Sequence, residues 1–115
     1  MRATNCTRNR VLAERGVVAA SMIARMRGLL GRSSLEPGEG LVLKGEQAIH
    51  TIGMRFDIDA LFLDREGRVV HLIHAMPPLR ASPLVWRARD VLELPAGKIK
   101  ETGTMLGDQI EFQLN

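Results

Sequence analysis

Aromatic residues and cysteine are scarce in this chain of 115 residues. It has three Phe, one Trp and no Tyr, and Cys6 is its single cysteine. An intramolecular disulfide bond is therefore excluded, and a lone thiol fits a reducing compartment. With so few rings, we expect a core filled by Leu, Ile, Val and Met. At this length we expect one globular domain, residues 1–115, that is stable without cross-links.

Long hydrophobic runs are also missing. The longest apolar run near the start, Val17 to Ala24, has eight residues and ends at Arg25, whereas a helix that crosses a bilayer needs about 20. Glu14 and Arg15 precede this run, and charges at both ends are untypical of a secretory signal. The sequence therefore predicts no membrane span and a cytoplasmic location.

The net charge of +3 is unevenly distributed. Residues 1–32 hold seven Arg and one Glu, a balance of +6, and residues 33–115 hold nine Lys or Arg and twelve Asp or Glu, a balance of −3. A basic amino-terminal third could contact nucleic acid. However, Arg outnumbers Lys thirteen to three along the whole chain, and no run of five or more basic residues occurs. We interpret the arginine content as a general bias and expect no nucleic-acid partner.

Hydrophobic spacing predicts one substantial helix and several strands. Apolar residues at 18, 19, 22, 23, 26, 29 and 30 predict an amphipathic helix from Val18 to Leu30. Strands are predicted at 8–13, 41–43, 90–94 and 109–114, with a one-turn helix at 98–102. Residues 58–63 and 68–75 form a predicted hairpin that turns at 64–67. We expect a β-dominated α+β fold, in which an antiparallel sheet curls into a small barrel or sandwich with the helix packed on it.

Six motifs follow one another in an order that resembles a known family. They are Arg-Gly-Leu-Leu-Gly-Arg, Gly-Glu-Gly-Leu, Ile-His-Thr-Ile-Gly-Met-Arg-Phe-Asp-Ile-Asp, Phe-Leu-Asp-Arg-Glu-Gly, Val-Leu-Glu-Leu-Pro-Ala-Gly and Gly-Asp. Over about residues 25–112 the chain is similar to the family called domain of unknown function 192. The resemblance implies a compact β-rich domain and no assigned activity. The matching positions include Gly28, His50, Met54, Asp59, Phe62, Asp64, Gly67, Glu93, Gly97, Gly107 and Asp108.

The chain departs from the family pattern at two places. Relatives often carry Pro-Cys a few residues before the histidine, where this chain has Gly45-Glu46, and proline where it has Asp57. The resemblance therefore supports neither a thiol beside His50 nor a carboxylate pair at 57 and 59.

His50 is the strongest single candidate for function. It precedes the central hairpin and is followed by Thr51 and Gly53, so backbone could approach a ligand closely there. Its imidazole could serve as a general base, a ligand anchor or a metal ligand. The alternative is a histidine whose ring nitrogens are tied to backbone at a strand end. Met54 lies in the same segment.

A resident metal ion or other cofactor is not expected. His71 and His74 are three residues apart in a predicted strand, so their side chains should point to opposite faces. The chain has no Cys pair and no His-Glu-x-x-His helix. His50 with Asp59 or Glu93 could in principle bind a divalent ion once the chain is folded.

Two acidic residues stand out in the central strand. Asp57 and Asp59 share a strand face, with carboxylates roughly 6–7 Å apart by the rise per residue, a spacing compatible with a two-carboxylate hydrolase. Arg55 lies on the same face and explains Asp57 more simply as half of an exposed ion pair. Asp59 lies among apolar residues, so its carboxylate must be paired or hydrogen-bonded. It either braces loop backbone or serves a site.

Glu93 is the third acidic candidate. It alternates with Leu92 and Leu94, so we expect it to face away from the apolar side of its strand. It could meet solvent, pair with an arginine such as Arg80, or line a cleft together with His50.

The segment from Pro77 to Arg89 is a long irregular loop, and such loops in small domains are often functional. It contains Trp86 with Arg80, Arg87 and Arg89, which could stack on and hold an anionic or planar ligand. Trp86 could equally close one end of a barrel. No feature identifies a protein partner.

Together these features predict a non-catalytic binding or accessory module for a small molecule or peptide, with its site near His50 and the 77–89 loop. The alternative is a small hydrolase-like enzyme in which His50 is the base and Asp59 or Glu93 orients it. The candidate ligand-binding residues are His50, Thr51, Met54, Asp59, Arg80, Trp86 and Glu93.

Overall fold

The computed structural model describes residues 1–21, 29 and 32–114. A three-stranded antiparallel sheet, in the order β2-β1-β8, consists of β1 (Arg2–Asn5), β2 (Arg10–Ala13) and β8 (Ile110–Gln113). Strand β1 lies in its centre and joins the two ends of the chain, since Ala3 pairs with Phe112.

A five-stranded sheet has the order β3-β4-β7-β5-β6. Its strands are β3 (Arg15–Ala19), β4 (Glu39–Lys44), β5 (Ile58–Leu63), β6 (Val69–Met76) and β7 (Asp90–Pro95). Strands β3 and β4 are parallel and the other pairs are antiparallel. One short helix, α1 (Lys98–Thr102), follows β7 and ends at Gly103, which has a left-handed φ of 70°.

Strand β5 is buried on both faces because each face of its sheet carries a hydrophobic core. Ile58, Ala60 and Phe62 lie in the first core, and Leu61 and Leu63 lie in the second. The second core also receives apolar residues from the three-stranded sheet and from α1. The first core is covered in part by apolar residues from the loops 45–57 and 77–89, namely Ile49, Met54, Phe56, Val85 and Ala88.

The central hairpin turns at a loop that the sequence specifies locally. Asp64 Oδ1 accepts hydrogen bonds from the backbone N–H groups of Glu66 and Arg68, both at 2.9 Å. Gly67 has a φ of 82°, and a Cβ atom there would lie 2.7 Å from the carbonyl oxygen of Ile110. Glycine is therefore needed both for the backbone angle and for the close approach of β8.

Several sequence predictions are confirmed and several are wrong. The hairpin, the strand before it, β7, α1 and the last strand lie within a few residues of the predicted positions, and the β-rich α+β class is consistent. The sequence predicted one antiparallel sheet curled into a small barrel or sandwich, and both the single sheet and the barrel are wrong. In the described ranges two separate sheets are present, and one of them contains a parallel pair.

The predicted N-terminal amphipathic helix is also wrong where the structure describes its residues. Val18 and Ala19 belong to β3 and pair with Val42 and Leu43 of β4. Main-chain pairing with a distant strand outweighs the helical spacing, and β-branched Val17 and Val18 suit a strand. Residues 22–28 and 30 of the predicted helix lie outside the described residues. No helix of the described part is long and apolar enough to cross a membrane.

Candidate functional site

Two loops that the sequence marked separately lie side by side. Residues 47–52 and 79–86 run antiparallel, with a bridge between His50 and Ala81. Backbone N–H groups of Thr51, Ser82 and Val85 donate across the pair to the carbonyls of Arg80, Ile49 and Gln47, each at 2.8 Å. We call this paired segment together with the adjoining Arg87, residues 47–52 with 79–87, the ribbon. It covers part of the first core.

Thr51 holds the two arms of the ribbon together through buried hydrogen bonds. Its hydroxyl donates to the carbonyl oxygen of Pro77 at 2.6 Å and accepts from the N–H of Arg80 at 2.9 Å. Its own carbonyl accepts from the N–H groups of Leu79 and Met54, at 3.2 and 3.1 Å. Thr51 is fully buried, so it positions the loop and does not face a ligand directly. Met54 is also buried, in the first core.

The outer side of the ribbon carries large apolar side chains that are open to solvent. Side chains alternate along the first arm: Ile49 and Thr51 are buried, whereas His50 and Ile52 are exposed. The exposed fractions are 58% for Ile52, 70% for Leu79, 54% for Leu84 and 79% for Trp86. Apolar groups concentrated on one exposed element mark surfaces that bind other molecules.

The same surface is positively charged. Arg80 and Arg87 are exposed, and residues 77–89 contain no Asp or Glu. The guanidinium of Arg80 bonds the adjacent carbonyl of Leu79 at 3.3 Å, and that of Arg87 lies 3.8 Å from the carboxylate of Asp64. The Arg87 side chain is 77% exposed, and an ion pair at that distance with one group in solvent contributes little. Both arginines can therefore meet a negative charge from another molecule.

Asp59 is a fully buried carboxylate that braces backbone. Its Oδ1 accepts from the N–H of Ala75 and its Oδ2 from the N–H of Ile99, both at 2.8 Å. Ala75 lies near the end of β6 with a φ of 45°, and Ile99 lies in the first turn of α1. Asp59 thus fixes a strained strand end and the start of a helix with both of its oxygens.

Glu93 is buried on the other face of the same sheet. It pairs with Leu41 and Ala60, whose side chains lie in the first core. Asp59 precedes Ala60 and pairs with Leu94 of the second core, so the two carboxylates point to opposite faces. Glu93 does face away from Leu92 and Leu94, as expected, but the side that it faces is also apolar, so its carboxyl group is buried. Burial raises the pKa of Glu93 to about 7.

The structure does not bring His50, Asp59 and Glu93 together as an acid–base set. The described residues include all three, and no hydrogen bond joins the exposed imidazole of His50 to either buried carboxylate. Within the described ranges, no three His, Cys, Asp or Glu side chains are grouped as metal ligands would be.

A further buried carboxylate, Asp108, lies at the turn before β8. It accepts from Asn5 Nδ2, from the N–H of Met105 and from the guanidinium of Arg8, each at 2.9 Å. Burial acts to raise the pKa of Asp108, but these hydrogen bonds outweigh it and the pKa is lowered. Asp108 therefore fixes the turn as a charged group, and all of its described contacts are internal.

A cleft of about 350 Å³ lies between residues 11–15, the turn at 37–38 and α1. Three of its four charged side chains are bonded to one another or to backbone. Arg15 donates to the carbonyl of Pro37 at 2.8 Å, and Lys98 pairs with Glu101 at 3.1 Å. None of the residues that the sequence marked as site candidates lines this cleft.

Sequence reasoning found the arginines, Trp86 and His50 of the ribbon, but it missed Ile52, Leu79 and Leu84. Single apolar residues in a loop give no periodic signal, so only the pairing of the two arms reveals that they share a surface.

Comparisons with known proteins agree on the fold and on the family. The model of the family DUF192, described as uncharacterised ACR, matches residues 4–112. A curated relative from Thermococcus sibiricus, a UPF0127 protein, is 28% identical over an alignment of 121 positions. The alignment covers 96% of this chain and 73% of the relative.

Two crystal structures have the same fold. A protein of unknown function from Novosphingobium aromaticivorans superposes with a TM-score of 0.85 at 22% identity, over 97% of this chain and 84% of the other. A protein from Sinorhizobium meliloti, provisionally described as a transcription regulator, gives 0.79 at 24% identity, over 96% and 89%. With a family match that spans nearly all of its length, the chain belongs to the family of domain of unknown function 192.

Proposed function

We propose that this chain is a non-catalytic binding module that takes a small molecule or a peptide on the ribbon. One observation carries the proposal, namely that four large apolar side chains stand more than half exposed on a segment held firmly by main-chain hydrogen bonds. Exposed apolar groups on a pre-ordered backbone lose little conformational entropy on binding. A cytoplasmic location belongs to the same proposal and is supported by the lone exposed thiol of Cys6.

The hydrolase alternative receives no support from the arrangement of its three residues. A general base needs a partner within about 3 Å or through one water. Asp59 already gives both of its oxygens to backbone. Glu93 is buried against the first core, and among the described residues no hydrogen bond joins it to the exposed His50. Only the exposed His50 remains available for contact with a ligand, as one polar group of the ribbon.

Trp86 makes the proposal directly testable because it is the only tryptophan and the chain has no tyrosine. Its fluorescence therefore reports on the ribbon alone. We would titrate the protein with a fragment library and with a library of octapeptides, and record the emission maximum. Compounds that bind the ribbon should shift the Trp86 emission to the blue, since binding removes water from a ring that is 79% exposed.

Leu84→Ser should weaken each such hit. Burying a leucine contributes about 1.5–3 kcal/mol, so we expect affinity to fall roughly 10- to 100-fold. Leu106→Ser is the matched control, because Leu106 is 64% exposed outside the ribbon. If no compound shifts the emission, or if every hit ignores Leu84→Ser, the ribbon is not a binding surface.

A further inference from the structure

The ribbon carries the same type of residue pair, an apolar residue followed by an arginine, at both ends of one arm. Leu79-Arg80 lies on one arm, opposite Thr51, and Trp86-Arg87 lies seven residues further along, beside Gln47. In each pair an exposed apolar side chain stands next to an exposed arginine. Ile52 adds apolar surface at the first end and Leu84 at the second.

The distance between the two pairs determines which ligands are long enough to contact both. Seven residues of extended chain span at most about 23 Å, at roughly 3.3 Å per residue. A small molecule within that limit can occupy one pair, whereas an extended peptide of about eight residues can reach both. The high exposure of Trp86 and Leu79 also favours a peptide, because pocket-lining side chains are enclosed by their neighbours.

The charges of the ribbon define the chemistry of such a peptide. Elsewhere in the described structure, Arg8 and Arg32 make ion pairs with carboxylates at 2.9 and 2.8 Å. Arg80 has no carboxylate partner among the described residues, and Arg87 has only the distant Asp64. Guanidinium groups of this kind bind carboxylates with two parallel hydrogen bonds.

We propose that the ribbon binds an extended peptide that carries two apolar–acidic residue pairs about seven residues apart. The proposal rests on the proposed function and specifies its ligand. Each apolar side chain of the peptide would pack on Leu79 or Trp86, and each neighbouring carboxylate would bond Arg80 or Arg87. Electrostatic attraction also makes the binding dependent on salt.

Three synthetic decapeptides test the proposal. The first has two Leu-Asp pairs seven residues apart in a Gly-Ser background, the second has Asn in place of Asp, and the third has Lys. Binding is measured by Trp86 fluorescence at low and high salt. We expect the Asp peptide to bind at least tenfold more tightly than the Asn peptide, and the Lys peptide not to bind. High salt should weaken the Asp peptide most.

Matched variants locate the effect on the protein. Arg80→Ser and Arg87→Ser should each weaken the Asp peptide about tenfold and leave the Asn peptide unchanged. Lys100→Gln is the control, because Lys100 is an exposed cation of α1 outside the ribbon. Equal melting temperatures of all variants would show that each one folds.

The outcomes separate this inference from the proposed function. Equal binding of the Asp and Asn peptides, both lost in Leu84→Ser, would overturn the acidic partner and leave the binding surface standing. Failure of all three peptides, together with the absence of any hit in the library screen, would overturn both. A Trp86 blue shift that grows with protein concentration alone would identify a second copy of the chain as the occupant and overturn the inference.

Discussion

Removal of the Asp59 carboxylate should destabilise the protein by a predictable amount. In Asp59→Ala, the N–H groups of Ala75 and Ile99 lose their acceptor. Ile99 is fully buried, so its N–H has no access to water, and an unsatisfied buried donor costs about 1–3 kcal/mol. Ala75 is exposed, and water can replace its lost bond at a smaller cost. We therefore expect a loss of about 2–4 kcal/mol in the free energy of unfolding.

The assay is urea denaturation followed by far-ultraviolet circular dichroism, with Asp57→Ala as the matched control. Asp57 lies two residues away on an exposed part of the chain, so its removal should change stability by less than about 0.5 kcal/mol. Asp59→Asn should fall between the two, because one amide oxygen can still accept while the NH₂ group faces the other N–H. Hydrogen exchange should show faster exchange at the Ile99 amide in particular.

Two outcomes would refute this account of Asp59. If Asp59→Ala and Asp57→Ala are equally stable, the two hydrogen bonds contribute nothing net. If Asp59→Asn folds as well as the original chain but no longer binds any ligand of the ribbon, then Asp59 serves the site and is not a brace.

Two further predictions concern Glu93 and Gly67. Burial raises the pKa of Glu93 from 4.5 to about 7, so the folded state favours the protonated carboxyl group. The stability that the protonated group contributes is fully present below pH 4.5 and is lost as the pH rises through 7. The loss in the free energy of unfolding should reach about 3 kcal/mol. Urea denaturation at pH 5 and pH 8 should show that Glu93→Gln removes this pH dependence. An unchanged pH dependence in the variant would contradict the prediction. Gly67→Ala should lower the free energy of unfolding more than Gly103→Ala does, and the difference should be about 1 kcal/mol or more. Both glycines have positive φ, but only at Gly67 would a Cβ atom also meet a backbone oxygen, at 2.7 Å. Thermal denaturation of the two variants compares them, and equal midpoints would contradict the prediction.

The parts of the fold that the sequence predicted well are those specified by neighbours in the chain. The hairpin of β5 and β6 has its turn between its own strands, where Asp64 and Gly67 supply the capping oxygen and the positive φ. Helix α1 has Gly97 and Gly103 at its ends, both in left-handed conformation. Such signals are local, so a single sequence contains them.

The missed elements depend on partners far away in the sequence. Strand β1 pairs with β8, so that Arg2 lies opposite Gln113, and nothing within four residues of β1 predicts this. The last two residues of β3, Val18 and Ala19, were predicted to begin a helix because they fit the helical spacing of the residues that follow. Only the parallel partner β4 decides between the two structures. The burial of Glu93 was missed for a related reason, since a strand buried on both faces has no solvent side for a carboxylate.

Three aspartates that match the family pattern hold backbone in place. Asp59, Asp64 and Asp108 each accept hydrogen bonds from backbone N–H groups, as a carboxylate does when it orders a turn or a strand end. A carboxylate whose lone pairs are occupied in this way is a poor proton acceptor for a substrate. The groups left open to another molecule are the imidazole of His50 and the arginines and apolar side chains of the ribbon. Those groups provide hydrogen bonds, positive charge and apolar contact, which suffice for recognition. Among the described residues no carboxylate bonds the imidazole of His50, which accords with the proposed binding role.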